Sequence, residues 1–104
     1  MEKMKTYHKF KAKPTTVDDH KFASKKEAKR YTELKRLKEA GEVLFFLLQT
    51  RIDLPGGVIY RCDFVVFWAN GEVTFEDVKG FRTESFILKK KIVEDLYPIE
   101  IKEI

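Results

Sequence analysis

Four residues in this chain are of types, and at places, that together could do chemistry. Asp63 lies inside the run Val58-Ile59-Tyr60-Arg61-Cys62-Asp63-Phe64-Val65-Val66-Phe67-Trp68, both faces of which are largely apolar. A segment of that kind reads as a central, buried strand, and an unpaired carboxylate there would cost on the order of 2–7 kcal/mol or more. Asp63 therefore needs a cation: Arg61 as a local ion-pair partner, a lysine, or a metal. Asp77 and Lys79 follow in Val73-Thr74-Phe75-Glu76-Asp77-Val78-Lys79-Gly80. Strand residues alternate faces, so Asp77 and Lys79 share one face and Glu76 and Val78 the other. Glu27, on a helix, falls in line with the apolar Tyr31 and Leu34. Two clustered carboxylates suit Mg2+ or Mn2+, which take hard oxygen ligands, keep several waters and bind phosphate oxygens. Such an ion lowers the pKa of a bound water and stabilises a pentavalent phosphate. A neighbouring lysine can orient or deprotonate the attacking water and neutralise developing charge.

The elements that must position these residues are readable from pattern. Ser24-Lys25-Lys26-Glu27 fits a capping box and Gly41 a helix stop, so a helix is expected from about Ser24 to Ala40, with an apolar stripe of Tyr31, Leu34 and Leu37. Glu27 is then either the capping-box acid or a site acid, and the two roles are compatible. Three strands should follow: Val43 to Leu54, Val58 to Trp68 and Glu72 to Lys79, turned by Pro55-Gly56-Gly57 and Ala69-Asn70-Gly71. A second helix is expected over Thr83 to Leu96, and a last strand over Ile99 to Ile104. The fold class is α/β (α+β), a helix–three antiparallel strands–helix–strand mixed sheet flanked by helices.

Which acid joins Asp63 depends on the register of the second hairpin. A two-residue turn at Asn70-Gly71 pairs Asp63 with Val78 and brings Glu76 to its side. A three-residue turn, with Gly71 at a left-handed position, pairs Asp63 with Asp77. The sequence allows both.

The bulk properties set bounds. A length of 104 residues fits one domain, and 43% hydrophobic with 13% aromatic content is enough for a core. Lys and Arg number 21 against 17 Asp and Glu, a net charge of +4 that suits a polyanionic partner without proving one. The single cysteine, Cys62, excludes an internal disulfide and a zinc cluster. No apolar run approaches the roughly 20 residues a membrane span needs, and the N-terminus lacks a signal-peptide core, so a cytoplasmic setting is expected. Residues 1–20, with Lys3, Lys5, Lys9, Lys11 and Lys13, read as a basic arm, either solvated or phosphate-binding. Residues 21–104 form the domain.

The order of these elements, with an Asp on the second strand and Asp77-Val78-Lys79 on the third, resembles the PD-(D/E)XK nuclease superfamily with its restriction-endonuclease-like core. The blocks Phe22-Ala23-Ser24-Lys25-Lys26-Glu27-Ala28 and Glu76-Asp77-Val78-Lys79-Gly80 more narrowly resemble an endonuclease-like family of small phage and prophage proteins, over about residues 18 to 104. One departure is that Cys62 stands before Asp63 where the superfamily signature has Pro. The resemblance implies Asp63 and Asp77 as metal ligands, Glu27 as a further ligand directly or through water, and Lys79 at the attacking water. It implies a Mg2+ (or Mn2+) dependent endonuclease acting on DNA. With little room for a sequence-reading domain, branched or otherwise structured DNA is the expected substrate, in the manner of a Holliday-junction resolvase, with a possible homodimer. The rivals are a non-catalytic DNA-binding phage accessory module that kept the fold, and a ribonuclease on the same core. Lys25, Lys26, Arg82, Lys89 and Lys90, with Lys91, Lys29 and Arg30 beside them, are either phosphate contacts or solvated helix faces. Gln49 lies on the first strand, where a polar role near the site is open to it without a specific warrant.

Overall fold

The computed structural model describes residues 13–104. Its chain order is β1 (Thr15–Val17), β2 (His20–Phe22), α1 (Lys25–Glu39), β3 (Val43–Leu54), β4 (Val58–Trp68), β5 (Val73–Asp77), α2 (Glu84–Leu96) and β6 (Ile101–Glu103). The fold is α+β: a four-stranded mixed sheet in the order β3-β4-β5-β6, two helices, and a small antiparallel β1–β2 sheet. Strands β3, β4 and β5 pair antiparallel, and β6 returns parallel to β5 through α2, because a parallel neighbour needs a long crossover. Among the described residues no helix is long and apolar enough to cross a membrane.

The elements form where local chemistry directs them. Ser24 caps α1, its Oγ accepting from the Glu27 N–H at 3.0 Å, and Thr83 caps α2 by accepting from the Phe86 N–H at 3.0 Å. Such caps satisfy N–H groups that the first helical turn leaves without partners. Gly41, at φ +83°, ends α1 in the left-handed conformation that glycine adopts without steric cost. Of the arm expected over residues 1–20, the part from Thr15 onward is not an arm. Residues 15–22 form the β1–β2 hairpin, turned by Asp18 and Asp19 at positive φ. It packs Val17 and Phe22 against Tyr31 of α1, and Asp18 accepts from the Tyr31 hydroxyl at 3.0 Å. Of the arm lysines, Lys3, Lys5, Lys9 and Lys11 lie outside the described residues.

The β4–β5 turn has three residues. The Trp68 N–H donates to the Glu72 carbonyl at 2.9 Å and the Gly71 N–H to the Trp68 carbonyl at 3.0 Å, with Gly71 at φ +96°. The ladder then runs Phe67↔Val73, Val66↔Thr74, Val65↔Phe75 and Phe64↔Glu76. Continued by one step, that register sets Asp63 opposite Asp77.

The core has two parts, and the β3–β4 hairpin contributes to both. On the α1 side Phe46, Leu48, Phe64, Val66 and Trp68 pack with Tyr31 and Leu34. On the α2 side Ile52, Leu54, Tyr60 and Cys62 pack with Phe86 and Val93. All these hairpin positions are even-numbered, so a regular pleat would put them on one face. The hairpin changes face between Leu48 and Ile52 on β3 and between Phe64 and Cys62 on β4. Gln49, at φ +49°, marks the crossing on β3. The register is the same on either side of it, with Leu48↔Phe64 before and Thr50↔Cys62 after, and the ladder skips the Gln49–Asp63 step between them.

Candidate active site

The crossing point is where the singled-out residues meet. Beyond Phe64↔Glu76 the β4–β5 ladder gives way to side chains. Asp63 Oδ2 accepts from the Val78 backbone N–H at 3.0 Å, and the Asp63 N–H donates to Asp77 Oδ1 at 3.3 Å. Two carboxylates thus replace a rung of sheet, which is why β5 ends at Asp77 and not at the expected Lys79. Asp63 Oδ1 accepts from Gln49 Nε2 at 2.9 Å. The same Nε2 donates to Glu27 Oε2 at 3.1 Å. Asp77 Oδ2 accepts from the Tyr60 hydroxyl, and Lys79 Nζ lies 3.9 Å from Asp77 Oδ1 and 4.5 Å from the centre of the Phe86 ring. One polar row therefore runs from Glu27 on α1 through Gln49, Asp63 and Asp77 to Lys79 beside α2.

Burial sets the electrostatics of the row. Asp77 is 0% exposed, and desolvation pushes its carboxyl up to about 6 against the opposing pull of Lys79. Glu27 is also buried. Its carboxyl is raised by desolvation first and by the charge of Asp63 second, with the Ala23 backbone and Gln49 partly offsetting them. Glu27 is thus more than a capping acid: its backbone N–H completes the Ser24 cap, and its carboxylate faces the site. Cys62 is fully buried; desolvation pushes its thiol up to about 12, and its single S–H has the Phe64 and Glu76 carbonyls as acceptors at 3.4 and 3.5 Å. It is a packing residue.

The neighbouring charges resolve the alternatives. Arg61 is exposed and makes no ion pair with Asp63 among the described residues, so the local ion-pair account of Asp63 does not hold. Glu76 faces α1, where Arg30 clamps both its oxygens at 2.8 Å and also reaches Glu33. Arg30, expected on a solvent edge, is turned inward. Of the lysines and arginines read as phosphate contacts, Lys25 and Lys26 are exposed at the start of α1 and Lys89 is half-buried on α2. Arg82 and Lys90 converge on Glu103, at 2.8 and 3.0 Å, so an incoming phosphate would have to compete with that carboxylate. Tyr60 is the residue that sequence reasoning missed; Gln49 had only an unspecified polar role, and Arg30 was read as a phosphate contact or solvated face and not as the partner of Glu76. The one available signal was that Gln49 interrupts an apolar run opposite Asp63.

A match over nearly the whole chain bears on what this arrangement belongs to. The family model described as "Protein of unknown function (DUF1064)" covers residues 7–103. The chain belongs to that family. No curated protein matches it. The matched span takes in every residue of the polar row, so the row lies within the DUF1064 domain and not in an appended segment.

The donor set fits a hard divalent cation in kind, since three carboxylates and an amide oxygen are all oxygen ligands. Burial of Glu27 and Asp77 makes their ionised forms costly, and a bound cation would offset that cost. Among the described residues, however, no group of three or more His, Cys, Asp or Glu side chains is gathered closely enough to hold a metal ion. Protein donors occupy the carboxylates, and the Gln49 amide stands between Glu27 and Asp63.

Proposed function

We propose that the chain is a metal-dependent endonuclease that hydrolyses phosphodiester bonds in DNA, in the manner of the PD-(D/E)XK nucleases. The observation that carries this reading is the row Glu27–Asp63–Asp77–Lys79, gathered from a helix and two strands where the β4–β5 ladder opens. Carboxylates taken out of water cost stability, and here the wholly buried Asp77 and the half-buried Asp63 displace backbone pairing. Such an arrangement is expected where stability is given up for function.

Asp63, Asp77 and Glu27 would hold Mg2+ or Mn2+, which when bound supplies Lewis-acid activation of water and of the scissile phosphate. The other roles belong to the chain. Lys79, kept in place by Asp77 and the Phe86 ring, positions its ammonium to orient the attacking water and to balance charge developing on the phosphate. Asp77 holds Lys79, and the Tyr60 hydroxyl fixes one oxygen of Asp77. Lys25 and Lys26 at the start of α1 and Lys89 on α2 would take duplex phosphates, with Arg82 and Lys90 joining them once released from Glu103. Branched or otherwise structured DNA is the substrate class of this reading, met by a monomer or a homodimer. A cytoplasmic, phage- or prophage-related setting belongs to the same reading.

One observation favours a rival. The protein's own donors already satisfy the carboxylates, as a non-catalytic DNA-binding module would require. Labelled single strand, duplex, flap, nicked and four-way junction DNA, incubated with Mg2+ or Mn2+, separates the two. Cleavage by wild type that is lost in Asp77→Ala and Lys79→Ala supports the nuclease, and the preferred DNA names the substrate class. Binding without cleavage of any of them, by folded wild type, supports the module.

A further inference from the structure

Gln49 lies mid-way along the twelve-residue β3, with φ at +49°. A non-glycine residue held there is strained and persists only where its surroundings demand it. The change of face in the hairpin demands the backbone conformation. It does not demand glutamine, since glycine or asparagine adopts the left-handed region at less cost. Gln49 is exposed, so core packing does not account for its side chain either. What the side chain does is reach two like-charged groups at once: its single Nε2 donates to Glu27 Oε2 at 3.1 Å and to Asp63 Oδ1 at 2.9 Å. An amide nitrogen carries two N–H bonds, one for each carboxylate. The partners come from α1 and β4, and within the row they have no other shared donor.

We infer that Gln49 is the positioning residue of this carboxylate set, holding Glu27 and Asp63 toward a common point so that a divalent cation meets them already gathered. The inference rests on the reading of the row as a cation site. It assigns Gln49 no contact with substrate. Without the amide, the Glu27 and Asp63 charges repel and the Glu27 side chain loses its one hydrogen-bonding tie to the sheet. The left-handed backbone and the reach of the side chain are separable requirements. Asparagine meets the first and, one methylene shorter, fails the second.

The test is calorimetric titration of the intact protein with Mn2+, without DNA, for wild type, Gln49→Asn and Gln49→Gly, alongside thermal melts in EDTA. Both variants are expected to melt at or above the wild-type temperature, because their backbones suit φ +49° better. Both are expected to bind Mn2+ about tenfold or more weakly, the range seen when a residue that orients a metal ligand is lost. Equal Mn2+ affinity in wild type and both variants would overturn the role of Gln49 and leave the cation site standing. Absence of Mn2+ binding by folded wild type would overturn the cation site and this inference with it.

Discussion

Replacing Asp77 by Asn should make the metal-free protein more stable, and the gain should depend on pH in a defined way. Asp77 is wholly buried, and its carboxyl is raised from 3.8 to about 6, with desolvation the leading cause. A carboxyl raised in the folded state binds its proton there more tightly than in the unfolded chain. The stability it contributes is therefore complete below 3.8 and is lost as pH rises through 6. At about 1.36 kcal/mol for each pKa unit, a displacement of about two units costs the ionised wild type on the order of 3 kcal/mol at pH 8. Asparagine has nearly the same shape and carries no charge; its Oδ1 can accept from the Asp63 N–H while its Nδ2 donates to the Tyr60 hydroxyl oxygen, so it escapes that cost. For a domain of this size about 1 kcal/mol corresponds to roughly 4–8 °C, and the expected rise in melting temperature at pH 8 is roughly 12–24 °C. Urea unfolding in EDTA, followed by the fluorescence of the single tryptophan, Trp68, measures the difference directly at pH 4, 6 and 8. The variant should exceed wild type most at pH 8 and match it near pH 4. A variant less stable than wild type at pH 8, or a gain equal at both ends, would refute the argument that desolvation dominates at Asp77.

Other outcomes follow from the same geometry. Arg30→Ala strands the buried Glu76 carboxylate and should cost about 3–5 kcal/mol in denaturant unfolding. Replacing Arg30 and Glu76 together by Met and Leu should recover most of that loss. Ser24→Ala removes the cap on the Glu27 N–H and should cost about 1 kcal/mol by thermal melt. Gly71→Ala forces a side chain into φ +96° and should cost on the order of 1 kcal/mol, with amide exchange rising first at the β4–β5 turn. Glu103→Gln weakens the hold on Arg82 and Lys90. It should tighten DNA binding in EDTA and steepen its salt dependence, because each newly engaged phosphate adds about 0.9 to the slope of log K against log salt.

The element order was legible because its signals are local. A Ser24 cap, a Gly41 stop and glycine-bearing turns act within a few residues, and they placed both helices and β3 and β4 closely. The acid opposite Asp63 was not decided by the sequence, since Asn70-Gly71 serves a two-residue turn as well as the outer part of a three-residue one. The distinction lies in whether Trp68 or Ala69 closes the loop. The change of face at Gln49 was hidden for a different reason. Alternation counts assume one continuous pleat, and glutamine carries no compositional sign of a left-handed backbone, as glycine or asparagine would. Arg30 misled because its partner, Glu76, is 46 positions away and helical spacing sets Arg30 only at the margin of the apolar stripe. The pairing of Arg82 and Lys90 with Glu103 was invisible for the same reason: the contact is made by the crossover to β6, not by any local pattern.

The hairpin that changes face has a mechanical consequence. Its outer half, near Leu54 and Tyr60, packs with α2, and its inner half, near Phe46 and Phe64, packs with α1. The two cores behave as two plates riveted along one ribbon, and Gln49 and Asp63 lie where the ribbon twists between them. Glu27 is carried by the first plate, and Asp77 and Lys79 are seated against the second, so the spacing of the charged row is set by the twist of the ribbon that joins the two.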